Sequence, residues 1–173
     1  MTDTGAMEVH DDVVDIRSLL TIAVRTRGQE ADLCRLLSPR LAFLRSIGSD
    51  ATRSTVCAAF RYEALGAGSL IFNEGDRGFE LGVVFSGSVA LSVTVDATDC
   101  QVAEIGPGEL FGEPPTDVAL VSTRTATAAT VERSELLWLD PSVLAFIGEG
   151  QVRFNLLSIV SIAIIFTLTT GCG

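Results

Sequence analysis

Apolar residues follow two spacings along this chain, helical first and strand-like afterwards. From Gln29 the apolar positions recur at intervals of three and four: Leu33, Leu36 and Leu37 share a face. Pro39 interrupts, and Leu41, Leu44 and Ile47 resume the helical spacing until Gly48 ends it. Ser49 or Asp50 can then cap a further helix that turns Val56, Cys57 and Phe60 inward. Two or three short helices are therefore expected over residues 29–60. Residues 1–28 read instead as an acidic, flexible leader, with at most one short helix on Val13, Val14, Ile16, Leu19 and Leu20.

The period changes at Arg61. Glycines now separate short apolar segments: 69–72, 81–85, 88–95 and 100–105, then 125–131 and 135–139. In the third, Val89, Leu91, Val93 and Val95 alternate with Ala90, Ser92 and Thr94, the signature of a half-buried strand. Many short strands with glycine turns predict a jelly-roll-like β-roll over 61–140. Asp140 and Pro141 supply a cap and a first position for a helix running to about Ile147. The fold class expected is mainly β with flanking helices, N-terminal over 29–60 and C-terminal over 141–173.

Chemistry concentrates in Ile105-Gly106-Pro107-Gly108-Glu109-Leu110-Phe111-Gly112-Glu113, followed by Arg124-Thr125-Ala126-Thr127. Glycines let backbone approach a small ligand, a carboxylate accepts from hydroxyls, and an arginine clamps a phosphate. The same stretch equally suits a Gly-Pro turn between strands with an ordinary surface arginine.

Composition narrows the function classes. A formal charge of −10 on 173 residues argues against a nucleic-acid-binding surface, which needs a basic patch. The single histidine, His10, lies in the leader, so a histidine metal centre, a Ser-His-Asp triad and a Cys-His dyad are not expected. No catalytic residue, metal ligand or cofactor is assigned. Cys34, Cys57, Cys100 and Cys172 form no CxxC pair and read as reduced, mostly buried thiols of a cytosolic protein.

The order of motifs resembles the cyclic nucleotide-binding domain of catabolite activator proteins, kinase regulatory subunits and cyclic-nucleotide-gated channels. The residues carrying the resemblance are Gly68 to Gly78, Ser86-Gly87-Ser88-Val89, Gly106 to Glu113, Arg124 to Thr127 and Ser134 to Leu139. The resemblance implies a regulatory sensor that binds a cyclic purine monophosphate, cAMP or cGMP, in a phosphate-binding cassette. It signals by moving its C-terminal helices toward a protein partner or effector. By that resemblance Glu113 accepts from the ribose 2′-hydroxyl and Arg124 pairs with the cyclic phosphate. Backbone N–H groups near Gly112 complete the cradle, with Phe111 beside them. Thr125 suits the guanine amino group of cGMP. Asp76 and its glycines shape a turn.

Three departures keep a second reading open, a degenerate domain that serves as an interaction module without nucleotide. Pro114 and Pro115 follow Glu113 and carry no N–H where the cradle needs donors. Losing two hydrogen bonds to a charged group, at roughly 1.5–3 kcal/mol each, would weaken binding by about two to four orders of magnitude. The interval from Glu113 to Arg124 is longer than the common form and holds Asp117, and Gly82 stands where the family usually has an aromatic residue.

The tail from Phe154 to Thr170 is uncharged and apolar all round. At ~1.5 Å per residue it spans about 25 Å, slightly short of a ~30 Å hydrocarbon core. A buried lid helix or dimer contact is expected, with a membrane anchor as the alternative; correspondingly the protein is expected in the cytoplasm, or membrane-associated through the tail. No oligomeric state follows from the sequence.

Overall fold

A computed structural model describes residues 16–112, 122–140 and 143. The helical segment opens with α1, described over 16–21, and continues with α2 (Arg27–Leu37), α3 (Ala42–Ser46) and α4 (Asp50–Ala58). Ser49 caps α4 by accepting from the Thr52 N–H. Thr26 begins α2 with a capping box: its hydroxyl accepts from the Gln29 N–H while the Gln29 side chain accepts from the Thr26 N–H. Residues 16–28, which the sequence assigns to a flexible leader with at most one short helix, are ordered here. Ile16, Leu19 and Leu20, spaced i, i+3, i+4, are buried against the other helices, and that burial orders the segment. Arg25 ties these helices together, donating to the carbonyls of Leu19 (2.6 Å), Leu20 (2.9 Å) and Ala58 (3.1 Å). Such bonds satisfy helix-end carbonyls that have no partner inside their own helix.

Ten strands follow among the described residues: β1 (Arg61–Leu65), β2 (Leu70–Phe72), β3 (Arg77–Gly78), β4 (Leu81–Ser86), β5 (Val89–Val95), β6 (Thr98–Ile105), β7 (Leu110–Phe111), β8 (Ser122–Thr123), β9 (Thr127–Thr130) and β10 (Ser134–Leu139). They form one sheet in the order β1-β10-β4-β7, a second in the order β2-β9-β5-β6, and a ribbon of β3 with β8, all antiparallel. The expected β-roll is what forms.

Two apolar cores explain the patterns in the strands. Val89, Leu91 and Val93 face inward between the sheets, where they meet Val84, Leu136 and Trp138. Val83, Leu137 and Leu139 point the other way, into the core shared with the helices. Every residue of β10 is buried, because one of its faces meets the roll interior and the other the helices. A strand covered on both faces loses the apolar–polar alternation, and this one reads as the run Leu-Leu-Trp-Leu.

One carboxylate crosses the helix–sheet junction. Glu135 on β10 accepts from Arg17 Nε and Nη2 (both 2.8 Å), Tyr62 Oη (2.8 Å) and Ser86 Oγ (3.0 Å). Burial by itself would raise this carboxyl, but the hydrogen bonds from Arg17, Tyr62 and Ser86 together outweigh it and hold it below the usual range.

Cys34 and Cys57 are free and buried, and burial pushes the Cys57 thiol up. Cys100 is disulfide-bonded, which corrects the expectation of reduced thiols throughout. Glu113, Pro114, Pro115 and Asp117, the helix expected after Asp140 and the apolar tail lie outside the described residues, apart from Val143. Among the described residues no helix is long and apolar enough to cross a membrane.

Candidate functional site

The glycine-rich loop starts where β6 ends. Glu109 folds back on it: its carboxylate accepts from the Gly106 N–H (2.7 Å) and its own N–H donates to the Gly106 carbonyl (3.2 Å). This acid closes the turn itself. The loop then enters β7, which pairs with β4 through Val83↔Leu110 and Gly82↔Phe111. Phe111 points into the roll, 1% exposed, between Phe72 and Trp138. Its ring occupies the space above Gly82, where a Cβ would lie 2.3 Å from Phe111 Cζ. That packing is the physical reason for glycine at a position where an aromatic residue was expected. Gly112 ends the strand with φ +94°, a conformation that a side chain resists.

The chain is described again at β8, and Arg124 follows it. The Gly75–Gly78 turn fixes its backbone: the Arg124 N–H donates to the Asp76 carbonyl and the Gly75 N–H to the Arg124 carbonyl, both at 2.8 Å. Asp76 shapes that turn, its carboxylate accepting from the Asn73 N–H (2.8 Å). The Arg124 side chain is buried, 5% exposed. Its guanidinium lies 4.3 Å from the Phe72 ring centroid, and Nη2 donates to the Glu80 carbonyl at 2.9 Å. Glycine at 78 and 112 makes room for it: a Cβ at Gly78 would stand 2.6 Å from Nε, and one at Gly112 2.9 Å from Nη1.

The structure thus brings Arg124 against Gly112 across a gap of many residues in sequence. Thr125 is exposed beside them. Phe111 contributes its ring to the core beneath. Glu113 falls outside the described residues. The sequence reading gave Phe72, Gly78 and Glu80, which surround the arginine, no role in the site; Phe72 and Gly78 stood within the Gly68–Gly78 motif, and Glu80 lay outside it. An open cavity of about 570 Å³ adjoins the arginine, lined by Arg61, Phe72, Arg77, Glu80 and Trp138 among others. A buried arginine between two glycines can receive a small anion through charge-assisted hydrogen bonds.

Comparison with known proteins identifies the family. The model of the cyclic nucleotide-binding domain matches residues 62–149, just over half of the chain. The chain belongs to that family. Among solved structures it is similar to the regulatory domain of Toxoplasma gondii PKA co-crystallised with cAMP, with 28% identity over 73% of this chain and 47% of that one and a TM-score of 0.58. It is likewise similar to the N-terminal domain of a transcriptional regulator from Streptomyces coelicolor A3(2), at 28% identity, 73% and 86% coverage and a TM-score of 0.51. The catabolite activator protein of Thermus thermophilus gives 28% identity, 73% and 56% coverage and a TM-score of 0.52. This chain spans about half the length of the Toxoplasma and Thermus chains. A search of curated proteins finds no match.

Proposed function

We propose that this chain is a non-catalytic sensor domain that binds a cyclic purine monophosphate and passes the signal to a protein partner through its C-terminal helices. The observation that carries this reading is the buried Arg124 guanidinium, seated between Gly78 and Gly112 with its backbone pinned by the Asp76 turn. Arg124 pairs with the cyclic phosphate in this reading, and the N–H of Gly112 adds a backbone donor. Glu113 accepts from the ribose 2′-hydroxyl, Phe111 supports the cradle from below, and the exposed hydroxyl of Thr125 favours cGMP over cAMP.

Pro114 and Pro115 support a second reading, an interaction module that has lost its phosphate donors. Calorimetric titration of the full chain with cAMP and cGMP separates the two. Saturable binding that Arg124→Ala weakens at least a hundredfold supports the sensor. Absence of heat at millimolar nucleotide leaves the interaction module. Replacing Pro114 by Leu and Pro115 by Ala should tighten binding if the missing N–H groups matter. A cytoplasmic location goes with the free thiols of Cys34 and Cys57, while the disulfide at Cys100 counts against it. Alkylation of thiols in intact cells distinguishes the two compartments.

A further inference from the structure

The arginine of the site stands at one end of a row of stacked groups that runs through the roll. Its guanidinium lies 4.3 Å from the centroid of Phe72, and Phe72 stacks on Phe111 at 6.2 Å with 30° between the rings. Phe111 meets Trp138 edge-on at 5.7 Å, and Arg61 lies over Trp138 at 5.8 Å. The far end is tied down: Trp138 Nε1 donates to Glu63 (2.7 Å), and Arg61 donates to the Glu80 carboxylate (3.1 and 3.2 Å). Glu80 then closes the circuit, since its backbone carbonyl accepts from Arg124 Nη2.

Phe72 and the Glu80 carbonyl both hold the Arg124 guanidinium as neutral groups. A ring face attracts a cation through its quadrupole, so it fixes the guanidinium without adding a formal negative charge. A carboxylate in that place would hold the side chain equally well but would compete with an arriving phosphate. The ring cannot drift, because Phe111 backs it and Gly82 leaves Phe111 its space.

We propose that Phe72 is a positioning residue for anion recognition, holding the Arg124 guanidinium in its binding posture before ligand arrives. This rests on the cyclic-nucleotide reading for its ligand, not for its geometry. Preorganisation of this kind removes the cost of ordering a long side chain at the moment of binding.

The test uses the full chain carrying Phe72→Leu or Phe72→Tyr, each with Arg124 intact and with Arg124→Ala. Cyclic nucleotide affinity is measured by calorimetry, and the Arg124 Nε–H signal of the ligand-free protein by ¹H–¹⁵N NMR. Loss of the ring should weaken binding by about two- to thirtyfold, the range of a cation–π contact. Phe72→Tyr should stay within about twofold, and in the Arg124→Ala background Phe72→Leu should add less than about twofold. The Arg124 Nε–H signal, shifted by the ring in the wild type and in Phe72→Tyr, should move toward the free-arginine position in Phe72→Leu. Equal losses in both backgrounds would assign Phe72 to packing alone and overturn the proposal, as would an Arg124 signal that Phe72→Leu leaves in place. If the wild type binds no cyclic nucleotide, the sensor reading fails, and the NMR comparison still decides whether Phe72 sets the arginine. Phe72→Met replaces the leucine variant if the latter does not fold.

Discussion

Replacing Gly82 by alanine puts a methyl carbon where the Phe111 ring already lies. The added Cβ would stand 2.3, 2.4 and 2.9 Å from three carbons of the ring, and ordinary contact begins at 3.4 Å. The ring must therefore retreat by about 1 Å. It has nowhere to go, since Phe72 and Trp138 flank it and the Gly82↔Phe111 pairing fixes both backbones. Overpacking of this kind costs about 1–3 kcal/mol. Phe111→Ala empties the same space and should cost about 3–5 kcal/mol. The two costs share one cause, so the double variant should be no less stable than Phe111→Ala alone, a coupling of about 1–3 kcal/mol. Equilibrium urea unfolding of the wild type, both single variants and the pair measures this, provided the denaturant slopes agree. Strict additivity would refute the claim that glycine is present at 82 to seat the ring.

Two further predictions concern stability away from the site. Glu135→Gln should destabilise the fold at neutral pH by about 1.5–3 kcal/mol, the range for hydrogen bonds to a charged group. Because the folded carboxyl titrates below its ordinary value of 4.5, its contribution is complete above that pH and is lost as pH falls through the lowered value. The gap between wild type and variant in unfolding free energy should therefore close on acidification; a gap independent of pH between 7 and 3 would refute the assignment. At the β5–β6 hairpin, Asp96 (φ +49°) and Ala97 (φ +63°) form a two-residue turn closed by Val95↔Thr98. An alanine in that left-handed conformation costs roughly 1–2 kcal/mol, which glycine's own entropy partly offsets. Ala97→Gly should thus raise stability by about 0.5–1 kcal/mol in thermal unfolding, and a lowered midpoint would count against the turn geometry.

Two kinds of pattern made parts of this fold legible in sequence: one-sided burial, as in β5 and α2, and the continuous apolar run of β10, which is covered on both faces. The alternation in β5 named Val89, Leu91 and Val93 as inward, and they are. The helical spacing of Leu33, Leu36 and Leu37 likewise placed their common face in a core. What escaped was set by contacts distant in sequence or by elements too short to show a period. The strands β3 and β8 hold two residues each, yet they anchor Arg124. Phe72 looked like one more apolar strand residue, because the cation above it arrives from beyond β8. Gly82 stood out as a departure from the family pattern, but its reason, the ring of Phe111, belongs to another strand. Thr26 and Gln29 did carry a readable capping signal, hidden by the polar residues around it.

The junction between helices and roll also bears on where this domain may be cut. Similarity to the family begins at Tyr62, but heredity and autonomy are different boundaries. A chain shortened to that residue would bare Val83, Leu137 and Leu139 along one sheet face. It would also deprive Glu135 of its arginine while Tyr62 and Ser86 still pressed against the carboxylate. An uncovered apolar face beside an unpaired acid favours self-association over folding. Preparations of the domain should therefore keep the helices from Ile16 onward together with the roll they cover.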